Sequence, residues 1–120
     1  MGLCQRIVII VAALLGAAGV AAAAAAAHIG NDPLLSPLAL VALTHAAALI
    51  GLASAATTRF TRIATAVIAF GAVVFSGELG FHYLTGSAAL APIAPVGGTA
   101  LIVGWLALAA CTAISPQRAG

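Results

Sequence analysis

The sequence predicts an all-α integral membrane protein, a four-helix bundle whose N-terminus and C-terminus are both cytoplasmic. Hydrophobic residues make up 64% of the 120 residues and charged residues only 5%, whereas soluble domains carry about 25% charged residues. The chain contains four apolar runs, and crossing a hydrocarbon core takes about 20 residues. We therefore predict a single transmembrane domain with spans at residues 7–27, 34–56, 63–84 and 95–114.

The first predicted span, residues 7–27, follows Arg6 and ends in a run of alanines. A cleaved signal peptide would also place a basic residue before an apolar segment. The run is longer than the roughly 7–15 residues of a signal core. We therefore favour a retained helix, with cleavage as the alternative.

The second predicted span, residues 34–56, follows a turn at residues 28–33 that contains Gly, Asn, Asp and Pro. Each of these residue types favours chain reversal for its own backbone reason. Ala47, Gly51 and Ala55 place small residues four apart on one helix face. Such faces let membrane helices approach closely, so we expect this face to pack.

The third predicted span, residues 63–84, follows a basic loop that we predict over residues 56–62. Glu78 interrupts this span well inside the apolar run. A carboxylate at the centre of a membrane helix costs roughly 2.5–3.5 kcal/mol on insertion scales. Glu78 is therefore the residue whose surroundings most need an explanation.

The fourth predicted span begins near Pro95, because proline fits the first turn of a helix. A weakly structured link precedes it, and Ser115 and Pro116 are expected to end it. Trp105 lies in the middle of this span. Short connections throughout predict that neighbouring helices run antiparallel.

The arginines predict the orientation. An N-terminus inside the cell places Arg6, Arg59, Arg62 and Arg118 all on the cytoplasmic side and Asp32 outside. This distribution agrees with the positive-inside rule. We accordingly predict a multi-pass protein of the bacterial inner (plasma) membrane.

Several functions are not supported by the sequence. The net charge of +2 is too small and too scattered for nucleic-acid binding. No phosphate-binding loop or dinucleotide fingerprint is present. Cys4 and Cys111 fall on the predicted cytoplasmic side, where thiols stay reduced, so we expect both to be free.

The polar residues of the spans form the candidate site. Glu78 and His82 are four apart and therefore share a helix face, and His28 is predicted at the same end of the bundle. A carboxylate at Glu78 would be offset by His82, by His28, or by the start of the fourth helix, whose amides carry a partial positive charge. His45 lies deeper, and we expect it to form a hydrogen bond with a neighbouring hydroxyl, such as that of Ser76 or Thr65.

The alternative interpretation of these residues is a binding site, because intramembrane ionisable groups often mark ion or proton pathways. A divalent metal would use His28, Glu78 and His82, but their spacing matches no recognised metal motif. A haem would need a second histidine facing His45. We therefore predict no metal, no cofactor and no catalytic residue, since no activated nucleophile is evident.

The chain also resembles a known family. It is similar to the small YgdD-like inner-membrane proteins of domain-of-unknown-function family 423, which includes the mammalian transmembrane protein 256. The matching pieces are Gly16-Ala17-Ala18-Gly19, the Ala-Ala-His ending at His28, His45-Ala46-Ala47-Ala48-Leu49, Phe75-Ser76-Gly77, Pro95-Val96-Gly97-Gly98 and Gly104-Trp105. Glu78 stands where this family usually has serine, and Gly80 where it usually has tyrosine. The resemblance implies a multi-pass inner-membrane protein without an established activity.

Two functions follow as expectations. We expect a non-catalytic structural or accessory component of a membrane assembly, in contact with lipid and with other membrane subunits or itself. Its helix-packing positions would be Ser76, Gly77, Pro95, Gly97, Gly98, Gly104 and Trp105. The alternative is a small transporter or a protein that binds a proton, ion or ligand at Glu78. Small multidrug exporters also have four spans, but they carry their essential glutamate in the first span, which here has no acid.

Overall fold

The computed structural model describes residues 1–30 and 32–116, and over this part of the chain it is all-helical. The elements are α1 (Leu3–Ile29), α2 (Leu35–Ala55), α3 (Arg59–Thr85), a 3-10 helix (Ala91–Ile93) and α4 (Ala94–Ile114). The four long helices are long and apolar enough to cross a membrane. The predicted fold class of four membrane-spanning helices is confirmed.

The basic loop predicted over residues 56–62 is wrong, because α3 begins at Arg59 and the connection from α2 is only residues 56–58. The cause is a capping box. The Thr61 amide donates to the Thr58 hydroxyl at 3.1 Å, and the Thr58 amide donates to the Thr61 hydroxyl at 3.1 Å. This reciprocal pair satisfies amides that a helix start leaves without partners. Arg59 and Arg62 therefore lie in the first turn of α3.

The helices extend beyond the predicted spans at both ends of α1 and at the start of α3, whereas α2 and α4 match their predicted spans to within one residue at each end. α1 extends beyond residues 7–27 in both directions, since the Arg6 amide already donates to Gly2 O. Before α4, the predicted weakly structured link contains the 3-10 helix. Hydropathy predicts only the part of a helix that lies in the hydrocarbon core of the membrane. Backbone hydrogen bonds continue the helix beyond that core.

The helices pack antiparallel and in chain order. α1 packs on α2, α2 on α3, and α3 on α4, while α1 also touches α3. In the described residues, the backbone of α4 contacts no helix except α3 and the 3-10 helix. The molecule is elongated, at 53 × 25 × 23 Å. α3 is thus the central helix, and α4 lies at one edge.

Close backbone approach defines the α3–α4 contact. A Cβ atom placed on Gly97 would lie 2.6 Å from Phe75 N, and one on Gly71 would lie 2.8 Å from Gly97 O. A Cβ on Gly104 would lie 2.6 Å from Cγ1 of Ile68. These three glycines allow the two helices to meet backbone to backbone, as small residues do in membrane interfaces.

The antiparallel order separates charge between the two ends of the bundle. Arg6, Arg59 and Arg62 lie at the end where α1 and α3 begin, and Asp32 lies in the opposite turn between α1 and α2. Arg118, which entered the predicted orientation, lies outside the described residues. The described charges therefore show the predicted separation between the two ends.

Candidate functional site

Glu78 lies on the face of α3 that packs toward α4. It is three residues beyond Phe75, whose backbone meets Gly97. Because α3 and α4 run antiparallel and Gly97 meets Phe75, we infer from this register that Glu78 lies near the first turn of α4. Its side chain is 3% exposed. The acidic side chain is therefore enclosed by protein near the start of α4.

Glu78 has few polar neighbours. Its Oε1 atom is buried and has no hydrogen-bond partner. Nδ1 of His82 lies 3.7 Å from Oε1, which is too far for a hydrogen bond. At the start of α4, the Ala94 amide donates to Ala91 O, and Pro95 has no amide hydrogen. The expected offset of the Glu78 charge by helix amides therefore involves no hydrogen bond.

The predicted polar cluster separates into parts in the structure. Glu78 and His82 are neighbours one helical turn apart, whereas His28 lies exposed in the last turn of α1. Among the described residues, no three His, Cys, Asp or Glu side chains are grouped so that they could hold a metal ion. The candidate metal set of His28, Glu78 and His82 is therefore not assembled.

His45 has partners that the sequence analysis missed. Its Nδ1 lies 2.8 Å from Val41 O, and its Nε2 lies 3.1 Å from Nε1 of Trp105. Because an indole N–H only donates, Nε2 accepts, and Nδ1 carries the hydrogen that it donates to Val41 O. The expected bond to Ser76 or Thr65 is wrong, and the hydroxyl near the ring is that of Thr44, 3.3 Å from Nδ1. Both ring nitrogens are occupied, which leaves no free nitrogen to ligate a haem iron.

The two hydroxyls proposed for His45 have other surroundings. Thr65 donates to Thr61 O at 2.8 Å, as hydroxyls in membrane helices commonly do. The Ser76 hydroxyl is buried and has no hydrogen-bond partner. At about 100° per residue, Ser76 lies about 200° around α3 from Glu78. Ser76 therefore cannot serve as a partner for the carboxyl group.

The bond between His45 and Trp105 connects α2 to α4, although their backbones do not touch. The two rings are tilted at 59° with centroids 6.0 Å apart. The sequence offered only a general signal, which is that a tryptophan in an apolar setting needs an acceptor for its N–H. Which acceptor it finds, 60 residues away, depends on how α2 and α4 are rotated.

Several predicted packing positions face outward. Ala47, Gly51 and Ala55 are exposed on α2, and a Cβ on Gly51 would meet nothing within 4 Å. Gly77 on α3 is likewise exposed and open. Gly98 makes only ordinary contact, since its Cβ would lie 3.8 Å from the Phe75 ring. The α2 stripe, defined as Ala47, Gly51 and Ala55, is therefore unused within the chain.

A surface depression lies at the turn between α1 and α2. It is lined by Ile29, Gly30, Asp32, Pro33, Leu35 and Tyr83. The Asp32 carboxylate in this turn accepts from the Leu34 amide at 2.8 Å. Glu78 does not line the depression.

Comparison with known proteins identifies a matching family of unknown function and two relatives that are membrane proteins. A family profile described as "Protein of unknown function (DUF423)" matches residues 22–98. Two UPF0382 membrane proteins from strains of Staphylococcus epidermidis are each 43% identical over 63 residues, covering 52% of this chain and 52% of the relative. The chain thus spans about half the length of the curated relatives it matches. No solved structure matches the chain.

Proposed function

Because the chain belongs to the DUF423 family of proteins of unknown function, we propose that it is a non-catalytic accessory component of a membrane assembly. Its place would be the bacterial inner membrane, which its four candidate spans and the membrane proteins among its relatives support. Its partners would be other membrane-embedded subunits or further copies of itself. The bilayer would surround the remaining helix faces.

The α2 stripe is the observation that carries this proposal. Lipid tails are as apolar as a leucine side chain, so membrane helices associate through close packing, often at small residues. Elsewhere in the chain such residues are used, as where Gly19 packs against Leu43. Gly51 instead has open space around it. Another helix could approach α2 closely along this stripe.

The edge position of α4 supports the same proposal. Its outer face exposes large apolar side chains, and its backbone contacts among the described residues are limited to α3 and the 3-10 helix. Exposed members of this face include Ile102, Val103 and Leu106. A lateral helix of this kind can contact a neighbouring subunit without disturbing the core.

The proposal that the role is non-catalytic rests on the hydrogen bonds of His45 and of the hydroxyls near it. His45, the most deeply placed histidine, uses both ring nitrogens within the chain. The Thr44 hydroxyl lies 3.3 Å from Nδ1 of His45, but it donates its hydrogen to Leu40 O at 2.7 Å, and Nδ1 donates to Val41 O. A hydroxyl nucleophile needs a base with a free nitrogen. This arrangement supports a packing role.

Native extraction in a mild detergent, followed by mass spectrometry, tests the proposal. We expect the wild-type chain to be recovered at a fixed ratio with a membrane partner or as an oligomer. Gly51→Leu should lose this association, because it fills the space above the α2 stripe without a clash inside the chain. Gly77→Leu adds the same bulk at an open position of α3 and should retain it. Recovery of wild type as a lone monomer would refute the proposal, as would full association of Gly51→Leu.

A further inference from the structure

We propose that Glu78 is a proton-binding site, whose carboxyl group holds a proton inside the bundle and exchanges it with the membrane surface through His82. This inference goes beyond the proposed packing role and does not depend on it. The side chain of Glu78 is 3% exposed and that of His82 is 30% exposed. Oε1 of Glu78 is buried without a hydrogen-bond partner.

The position of Glu78 along α3 places it inside the apolar layer. α3 has 27 residues, which corresponds to roughly 40 Å at the helical rise, against about 30 Å of hydrocarbon. Glu78 precedes the last residue, Thr85, by about 10 Å of helix. For a helix centred in the membrane, Glu78 lies about 5 Å inside the hydrocarbon boundary. His82 lies one turn nearer the surface.

A proton is the ligand that this position can take. Glu78 belongs to no described group of residues that could hold a metal ion, and it does not line the depressions found at the turn between α1 and α2. With 3% of its side chain exposed, it offers no contact to a partner subunit. An unpaired carboxylate in apolar surroundings is far more costly than a neutral acid. A bound proton removes the charge and requires no cavity.

The elements packed around Glu78 leave one route for the proton. α4 and the 3-10 helix carry no charged residue or histidine. On α2, both ring nitrogens of His45 are occupied, and on α1, His28 is exposed at the helix end. On α3 itself, Tyr83 packs toward the cluster around Leu35. His82 is therefore the proton carrier that faces the carboxyl group.

His82 is suited to the role of a relay. Its Nδ1 atom is 3.7 Å from Oε1 of Glu78, so a small side-chain movement brings the two atoms to hydrogen-bond distance. Its partly exposed ring can exchange protons with water at the membrane surface. When a single proton moves from Glu78 to His82, the pair keeps zero net charge. The transfer therefore places no net charge in the apolar layer.

Infrared spectroscopy of the full chain in lipid vesicles tests the proton site directly. The sequence contains only two acidic side chains, Asp32 and Glu78, so the difference between wild type and Glu78→Gln isolates one group. At neutral pH we expect the carbonyl stretch of a protonated carboxylic acid in wild type and its loss in Glu78→Gln. A difference spectrum that contains only carboxylate bands would overturn the proposal.

The relay is tested by transferring the vesicles into heavy water and following the deuterium shift of this acid band. His82→Gln should slow the exchange by roughly a hundredfold, the low end of what a positioned acid–base group contributes. The band itself should persist in that variant. His28→Gln, at the exposed histidine, is the matched control and should exchange at the wild-type rate. Equal rates in the two variants would exclude His82 as the relay.

A hydrophobic carbodiimide provides an independent chemical test. The acid proton of Glu78 moves to a carbodiimide nitrogen, and the carboxylate oxygen bonds to the central carbon. The O-acylisourea then rearranges to an N-acylurea without loss of atoms. We expect one label at Glu78 in vesicles and none there in Glu78→Gln, whereas a water-soluble carbodiimide labels Asp32 first. Labelling of Asp32 without Glu78 by the hydrophobic reagent would contradict the proposal.

These measurements use the purified chain, so their outcome is independent of any partner subunit. Absence of the acid band from the wild-type chain refutes the proton site and leaves the packing role unaffected. Conversely, recovery of a lone monomer refutes the packing role and leaves the acid band as expected.

Discussion

At the residue scale, contacts between polar side chains could be predicted from the sequence when both residues lie on one helix. Contacts between residues on two different helices could not. Glu78 and His82 are four apart, and helical geometry alone places them together. The partnership of His45 with Trp105 spans two helices that are apolar on every side. A helix without a distinct polar face does not reveal from its sequence which way it is turned. For that reason Ser76 and Thr65 were wrong as partners for His45.

The bond from Trp105 to His45 should stabilise the position of α4. We expect Trp105→Phe to lower the free energy of unfolding in detergent micelles, because it removes the N–H donor and leaves Nε2 of His45 unpaired. A double-mutant cycle with His45→Phe should give a coupling of about 0.6 kcal/mol, the average for polar contacts between membrane helices. A coupling indistinguishable from zero would mean that the bond contributes nothing to stability.

At the element scale, the existence of the helices followed from apolar length, and so did the ends of α2 and α4 to within one residue, whereas both ends of α1 and the start of α3 did not. The capping box at Thr58 and Thr61 moved the start of α3 back to Arg59, a hydroxyl effect that hydropathy does not detect. The 3-10 helix before α4 was missed because its three residues carry no periodic pattern. Some predicted small residues lie at close helix contacts, as Gly97 and Gly104 do, whereas Gly51 and Gly77 are open, and the sequence did not distinguish the two kinds. Gly97 faces α3 and Gly51 faces outward, although both stand in apolar helices.

Two adjacent glycines of α4 allow a matched test of the α3–α4 contact. Gly97→Ala should lower the free energy of unfolding by about 1–3 kcal/mol, the usual cost of overpacking, because its Cβ would lie 2.6 Å from Phe75 N. Gly98→Ala adds the same methyl group 3.8 Å from the Phe75 ring and should change stability by less than about 0.5 kcal/mol. Unfolding in mixed micelles measures both. Equal losses in the two variants would show that backbone approach at Gly97 is not the limiting contact.

At the scale of the whole molecule, the sequence predicted four spans and the distribution of charge, whereas which helices pack together came only from the structure. The apolar content of the chain does not distinguish this arrangement from a bundle in which every helix touches two others. Instead α3 is central and α4 lies at one edge. This arrangement leaves the α2 stripe and the outer face of α4 available to partners, and it encloses Glu78 between α3 and α4. Both proposals therefore depend on the same asymmetry of the bundle.

The separation of charge predicts from which side of the membrane Glu78 would receive its proton. Arg6, Arg59 and Arg62 lie at the end opposite His82, so we predict from the positive-inside rule that the His82 end faces away from the cytoplasm. Proton exchange at Glu78 would then occur with the outer aqueous phase.

Thiol labelling in intact cells tests this orientation. Cys4 is exposed and free near the arginine end, and a membrane-impermeant maleimide should reach it only after the cells are opened. In a chain with Cys4 and Cys111 replaced by serine, Ala88→Cys places a thiol on the exposed connection between α3 and α4. That thiol should be labelled in intact cells. The reverse labelling pattern would mean that the protein has the opposite orientation and that His82 faces the cytoplasm. The infrared signature of Glu78 would be unchanged.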